Sequence, residues 1–275
     1  MVRLSFILSL YIFTSIFSLT AQETDHAKWN LVWSDEFNGD RLDQTKWNVL
    51  LREQSKHGEL QYYVPDEVYV ENGLLRVRSR ARSYGSMKYT SGRLDTKGKF
   101  SPVYGRFEMR AKLPGGKGIW PAYWLYPQNR NWELEYIMED AVAKGKENLI
   151  PEERPWYTEI DIMEFLGHQT NTLYGTLHYC SYDGRRMSSS GTRVGDCDYT
   201  KDFHLYTLEW ESDSIRWSID GRQFHATVNG IPHTPHYLIL NTAIGGSWPG
   251  NPDSTTVFPQ IFDIDYVRVY KRKAL

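Results

Sequence analysis

Tyr157-Thr158-Glu159-Ile160-Asp161-Ile162-Met163-Glu164-Phe165 reads as a β-strand that carries three carboxylates among Ile and Met. Side chains of a strand alternate between its two faces. Glu159 and Asp161 therefore share one face, and Ile160 and Ile162 share the other. Glu164 lies five residues from Glu159, which in a regular strand turns it to the wrong side. A solvated edge strand with scattered acids is one reading. A β-bulge near Met163 is the other, because one extra residue restores the phase and brings Glu164 beside Glu159 and Asp161.

Three acids on one face repel one another, so stability alone does not favour the second arrangement. Chemistry can. Cleavage of a glycosidic bond needs one carboxylate as nucleophile or base and another as proton donor.

The flanking sequence has the same period. In Gly105-Arg106-Phe107-Glu108-Met109-Arg110-Ala111-Lys112-Leu113, the apolar residues 107, 109, 111 and 113 face one way and the charged residues face the other. That is the pattern of a half-exposed antiparallel strand. Glu71-Asn72-Gly73 predicts a hairpin turn, as does Asp220-Gly221. Short strands are expected from Leu31 through to Tyr270, with one helical turn at 42–47. Many short strands with turn signals and almost no helix predict an all-β fold, a β-sandwich of two curved antiparallel sheets in a jelly roll with a concave cleft. Residues 28–273 form one domain on this reading. The charged segment 128–156 breaks the pattern and is expected to be an inserted loop with a short helix around 132–143.

The chain has 275 residues and a formal charge of −2, which gives no footprint for nucleic acid. Aromatic residues make up 15%, including 10 Trp and 19 Tyr. Aromatics favour strands, and they also make platforms for the flat faces of sugars. Met1 to Ala21 has the form of a secretory signal: Arg3, an apolar run from Leu4 to Leu19, and small residues at Thr20-Ala21. The run is short for a membrane anchor and has no adjoining Cys for a lipid. A secreted or periplasmic chain, free of the membrane after cleavage and monomeric by default, is the expectation. In an oxidising compartment Cys180 and Cys197 would form a disulfide closing a loop of sixteen residues, worth about 3 kcal/mol; two free thiols are the alternative.

The chain resembles glycoside hydrolase family 16, in its laminarinase-like branch of endo-β-1,3(4)-glucanases. The motifs are EIDIMEF at 159–165, WPAYWLYP at 120–127, YTSGRLDTKGKFSPVYGRFEMRAKLP at 89–114, LILNTAIGGSWPG at 238–250 and DYVRVY at 265–270. The E-x-D-x-x-E form, with Met163 as the extra residue, matches the bulged branch. The resemblance implies a jelly roll and net retention. Glu159 would be the nucleophile, Glu164 the general acid/base and Asp161 the tuning acid between them. It also implies that Trp120 and Trp124 stack on glucosyl rings, although core packing is the commoner role of Trp. Arg93, His178, Asn241 and Trp248 match cleft positions. Taken alone, His178 would more often be a satisfied strand histidine, and Asn241 a strand cap. Glu36, the backbone of Gly73 and Asp265 match a structural calcium site, and no catalytic metal is implied. The expected substrate is a β-1,3-glucan or mixed-linkage β-1,3-1,4-glucan. A hydrolase of marine galactans, a non-catalytic glucan-binding protein and a transglycosylase are the alternatives.

Overall fold

The structure is a computed structural model, and it describes residues 28–129, 139, 141–146, 158–181 and 183–274. The expected signal segment 1–21 and most of the 128–156 insertion lie outside the described residues. Within that insertion, Glu139 and residues 141–143 are helical; the rest of the expected helix lies outside the described residues.

Among the described residues, eighteen strands follow in chain order: β1 (Trp29–Asp35), β2 (Asn48–Val49), β3 (Arg52–Glu53), β4 (Gln61–Tyr63), β5 (Val68–Glu71), β6 (Leu74–Ser79), β7 (Tyr89–Ser91), β8 (Arg93–Asp95) and β9 (Gly105–Lys112) make up the first half. β10 (Ile119–Pro127), β11 (Glu159–Phe165), β12 (Thr172–Cys180), β13 (Arg186–Val194), β14 (His204–Trp210), β15 (Ile215–Ile219), β16 (Arg222–Thr227), β17 (His236–Ile244) and β18 (Gln260–Arg272) complete it. One sheet has the order β16-β15-β14-β9-β18-β6-β5, with β1 also on β18; the other has the order β13-β12-β11-β10-β17-β8-β2. Both are antiparallel throughout. A small third sheet, β3-β4-β7, includes a parallel pair between β4 and β7. The predicted sandwich is the observed architecture.

The alternation read from the sequence is what joins the layers. Phe107, Met109, Ala111 and Leu113 are all buried, in one cluster with Tyr123, Leu125, Ile160, Leu177 and Leu240 from the facing sheet. Asn72-Gly73 and Asp220-Gly221 both have positive φ (54° and 73°, 48° and 74°), the primed turn that suits the right-handed twist of a hairpin.

β11 contains the predicted bulge. On the β10 side, Tyr123 faces Met163 and Trp124 faces Asp161, so Ile162 has no partner. On the β12 side, Ile162 and Met163 together oppose Gly175. Both residues point into the core with Ile160 and Phe165. With the same residues in a regular strand, Met163 and Phe165 would be exposed and Glu164 buried. Each apolar side chain contributes about 1.5–3 kcal/mol by burial, so core packing alone favours the bulged phase by several kcal/mol.

The expected disulfide does not form: Cys180 and Cys197 are not bridged. The reason is the β12–β13 hairpin, which pairs Cys180 with Arg186 at one end and Thr172 with Val194 at the other. Cys197 follows Val194, so roughly eight strand steps, on the order of 26 Å, separate the cysteines, far beyond the ~7 Å Cα limit of a bridge. More than half of the expected sixteen-residue loop is the strand Arg186–Val194.

Candidate active site

The outer face of the β10–β11–β17 sheet forms the floor of a cleft of about 860 Å³. Strand register assembles it in rows. Arg93, Asn241, Ala122, Glu164 and Tyr174 lie side by side across five strands. The next row holds Asp95, Ile239, Trp124, Asp161 and Thr176, and one step further Glu159 pairs with His178. Ala122 lies between Glu164 and Asn241 and keeps the floor low there, while Trp120 and Trp124 stand two residues to either side on the same face.

All three acids reach this face, and none of them is paired with Lys or Arg among the described residues. Burial raises the carboxyl of Glu159 above its ordinary range, opposed by the charges of His178, Lys56, Arg93 and His57. Asp161 is pushed well above the usual range by burial and then by Glu159. Glu164 is also pushed well above it, by burial, by Asp161 and by Glu159, partly offset by a hydrogen bond from Trp120. The cleft therefore holds protons on carboxylates that would be ionised in water.

The structure places each expected contact residue. Trp120 Nε1 donates to Glu164 Oε1 at 3.1 Å. Trp248 lies edge-on to Trp120 and to Tyr174, with ring centroids 5.3 and 4.9 Å apart, which makes an aromatic corner beside Glu164. Trp124 Nε1 donates to Asn241 Oδ1 at 2.8 Å, and Asn241 Nδ2 donates to the Tyr63 hydroxyl at 3.2 Å. Burial pushes the Tyr63 phenol up to about 12, so it stays a neutral hydroxyl. The guanidinium of Arg93 covers one face of Trp124 at 5.0 Å and donates to Gln54 at 3.2 Å. Trp124 therefore has at most one open ring face for a sugar. His178 Nε2 lies 3.3 Å from Asp161 Oδ2.

Glu159, Asp161 and His178 offer ligand atoms within 4.8 Å of one another, so a divalent cation could be held there. The two-carboxylate reaction needs none. Glu36, Gly73 and Asp265 lie apart from the cleft, where β1, β18 and the β5–β6 turn meet. Arg268 holds both oxygens of Glu36 at 2.8 and 2.9 Å, and Arg110 holds Asp265 at 2.6 Å.

One wall of the cleft was not foreseen. Residues 52–57 and Glu59 line it, with Tyr126, Gln128 and Tyr237. Glu59 accepts the backbone N–H of His57 at 2.6 Å and a bond from Gln54 at 3.4 Å. The run REQSKHGE has no period to read, and its only local signal is Gly58, with φ of 81°.

The family model described as Glycosyl hydrolases family 16 matches residues 148–268. The "Beta-glucanase" of Rhodothermus marinus is 34% identical over 291 aligned residues, covering 98% of this chain and 94% of that protein. The chain belongs to glycoside hydrolase family 16. A second model, described as Beta-glucan synthesis-associated protein SKN1/KRE6/Sbg1, matches residues 14–128. Another relative, "Glucan endo-1,3-beta-glucosidase A1" of Niallia circulans, is 33% identical over 282 residues; the match covers 90% of this chain and 38% of the relative. Among solved structures, the laminarinase from Rhodothermus marinus superposes with a TM-score of 0.76 at 33% identity, covering 90% of this chain and 98% of that one.

Proposed function

We propose that this family 16 chain is an endo-β-1,3(4)-glucanase that hydrolyses internal linkages with net retention. The observation that carries the reading is the bulge at Ile162–Met163, which sets Glu164 on the cleft floor with Glu159 and Asp161. Names of the relatives, beta-glucanase and endo-1,3-beta-glucosidase, support the substrate class.

The electrostatics divide the roles. Glu159 is opposed by nearby positive charge and has the weaker upward shift, so it ionises first and acts as the nucleophile. Glu164 keeps its proton and donates it to the departing glycosidic oxygen. Attack by Glu159 forms a glycosyl ester while Glu164 protonates the leaving sugar. Glu164, now ionised, takes a proton from water, which attacks the anomeric carbon and releases Glu159. Asp161 holds a proton between them and is kept in place by His178. Trp120 supplies a floor for the sugar and a hydrogen bond to Glu164.

Digestion of laminarin, mixed-linkage β-glucan, cellulose and agarose, with products followed over time, tests this reading. It expects a ladder of oligosaccharides from the first two. Cleavage of agarose alone would make the chain a galactan hydrolase, and binding without cleavage would make it a lectin-like protein.

Two further parts of the reading concern the rest of the chain. The apolar segment 4–19 supports export, and amino-terminal sequencing of the mature protein tests it, with cleavage near Ala21 expected. Glu36, the Gly73 carbonyl and Asp265 supply oxygen donors of the kind calcium takes. An ion there would have to share or displace Arg268 and Arg110. A melting temperature that rises in millimolar calcium supports the site; identical melting in calcium and in chelator removes it and leaves the ion pairs to hold that corner.

A further inference from the structure

The bulge of β11 coincides with a contact from the opposite sheet. Trp217 of β15 is fully buried, and its indole Nε1 donates to the backbone carbonyl of Asp161 at 2.9 Å. Asp161 is the residue at which the bulge begins. The residue opposite the bulge is Gly175, and a Cβ there would meet the Trp217 ring at 2.5 Å. Its neighbour across the β12–β13 ladder is also glycine, Gly191, where a Cβ would meet the Cβ of His225 at 2.3 Å. His225 faces Trp217 across β15–β16, with ring centroids 4.8 Å apart. The Gly175–Gly191 pair is thus a notch in one sheet, and the Trp217–His225 pair of the other sheet fills it. The closeness this allows is what lets an indole N–H reach a catalytic-strand carbonyl.

We propose that Trp217 is a positioning residue for family 16 chemistry in this chain, acting through the backbone of the bulge on Glu164. The Trp217 bond fixes the peptide at one end of the two bulge residues, Ile162 and Met163, and Glu164 is the first residue after them. The distance and angle between the Asp161 and Glu164 carboxyl groups depend on how the bulge is held. A buried indole N–H needs an acceptor; that of Trp217 is the bulge carbonyl of Asp161, whereas that of Trp210, also fully buried, is the carbonyl of Pro232, away from the cleft.

The inference rests on the reading of Glu164 as acid/base, and the test separates the two. Glu164→Gln and Trp217→Phe are compared on laminarin and on a dinitrophenyl β-laminarioligoside with azide present. The dinitrophenolate leaves without a proton, and azide attacks the glycosyl enzyme without a general base, so this pair of reagents bypasses the acid/base. Trp217→Phe is expected to lower kcat on laminarin roughly 10–100-fold with KM within about twofold, as for a misplaced catalytic group. On the activated substrate with azide, the loss should shrink to within about threefold. If Glu164→Gln shows no such recovery, the acid/base assignment fails. If it does and Trp217→Phe keeps wild-type kcat, or loses equally on both substrates, the proposal is overturned. Should Trp217→Phe fail to fold, site-specific 3-benzothienylalanine at 217 keeps the ring shape and removes only the N–H, and the same two substrates decide.

Discussion

Glu164, the proposed acid/base, is costly to the fold at neutral pH. Its carboxyl is raised by burial and by two neighbouring acids. A carboxylate raised in the folded state favours folding in acid, and that contribution is lost as pH rises through the folded value. Glu164→Gln should therefore melt higher than the parent at pH 7, by on the order of 1 kcal/mol or about 2–4 °C, and the gain should vanish below about pH 4, where the unfolded carboxyl is also protonated. Differential scanning calorimetry at the two pH values checks it; a gain that persists in acid would mean a packing effect. Activity should follow a bell in pH, with its acid limb, set by Glu159, above the usual carboxylate range and its basic limb set by Glu164. Residue identity and spacing made these acids legible in the sequence, since Glu159, Asp161 and Glu164 need only a phase argument. The Trp120–Glu164 hydrogen bond was not legible, because it joins side chains 44 positions apart and depends on β10–β11 register.

At the scale of the element, parity governs β11. Deleting Met163 alone leaves an alternating Glu-Ile-Asp-Ile-Glu, so Glu164 should stay on the cleft face. The variant should retain measurable activity while losing about 2–5 kcal/mol of core packing. Deleting Ile162 and Met163 together inverts Glu164 and should abolish hydrolysis. A double deletion as active as the single one would show that the bulge does not set the face. The hairpin β12–β13 makes a separate prediction. Cys180→Ser with Cys197→Ser should shift the melting temperature by less than about 0.5 kcal/mol equivalent, and reductant should have no effect on the parent. A destabilisation of about 3 kcal/mol would restore the bridge. The disulfide was misread because cysteine counting sees loop length and not strand direction; Arg186–Val194 has too few apolar residues to announce itself as a strand. The bulge, by contrast, was predictable, since both of its residues are apolar and an acid follows.

Across the whole molecule, the sandwich was readable because turn signals separate many short strands and some of these alternate, as Phe107 through Leu113 does. The layer order was not readable: nothing in the sequence says that β10 lies between β11 and β17, or that β15 passes beneath β11. That long-range pairing builds the cleft and brings the wall at 52–59 to it, which no local pattern in the sequence announces. The assembled account makes Glu159 the covalent partner and Glu164 its acid/base. Its most direct test is to incubate the enzyme with a 2-deoxy-2-fluoro-β-laminarioligosyl fluoride, digest it, and map the labelled peptide by mass spectrometry. The account predicts a single glycosyl adduct on Glu159; an adduct on Asp161 or Glu164, or none while the enzyme actively turns over laminarin, would contradict it.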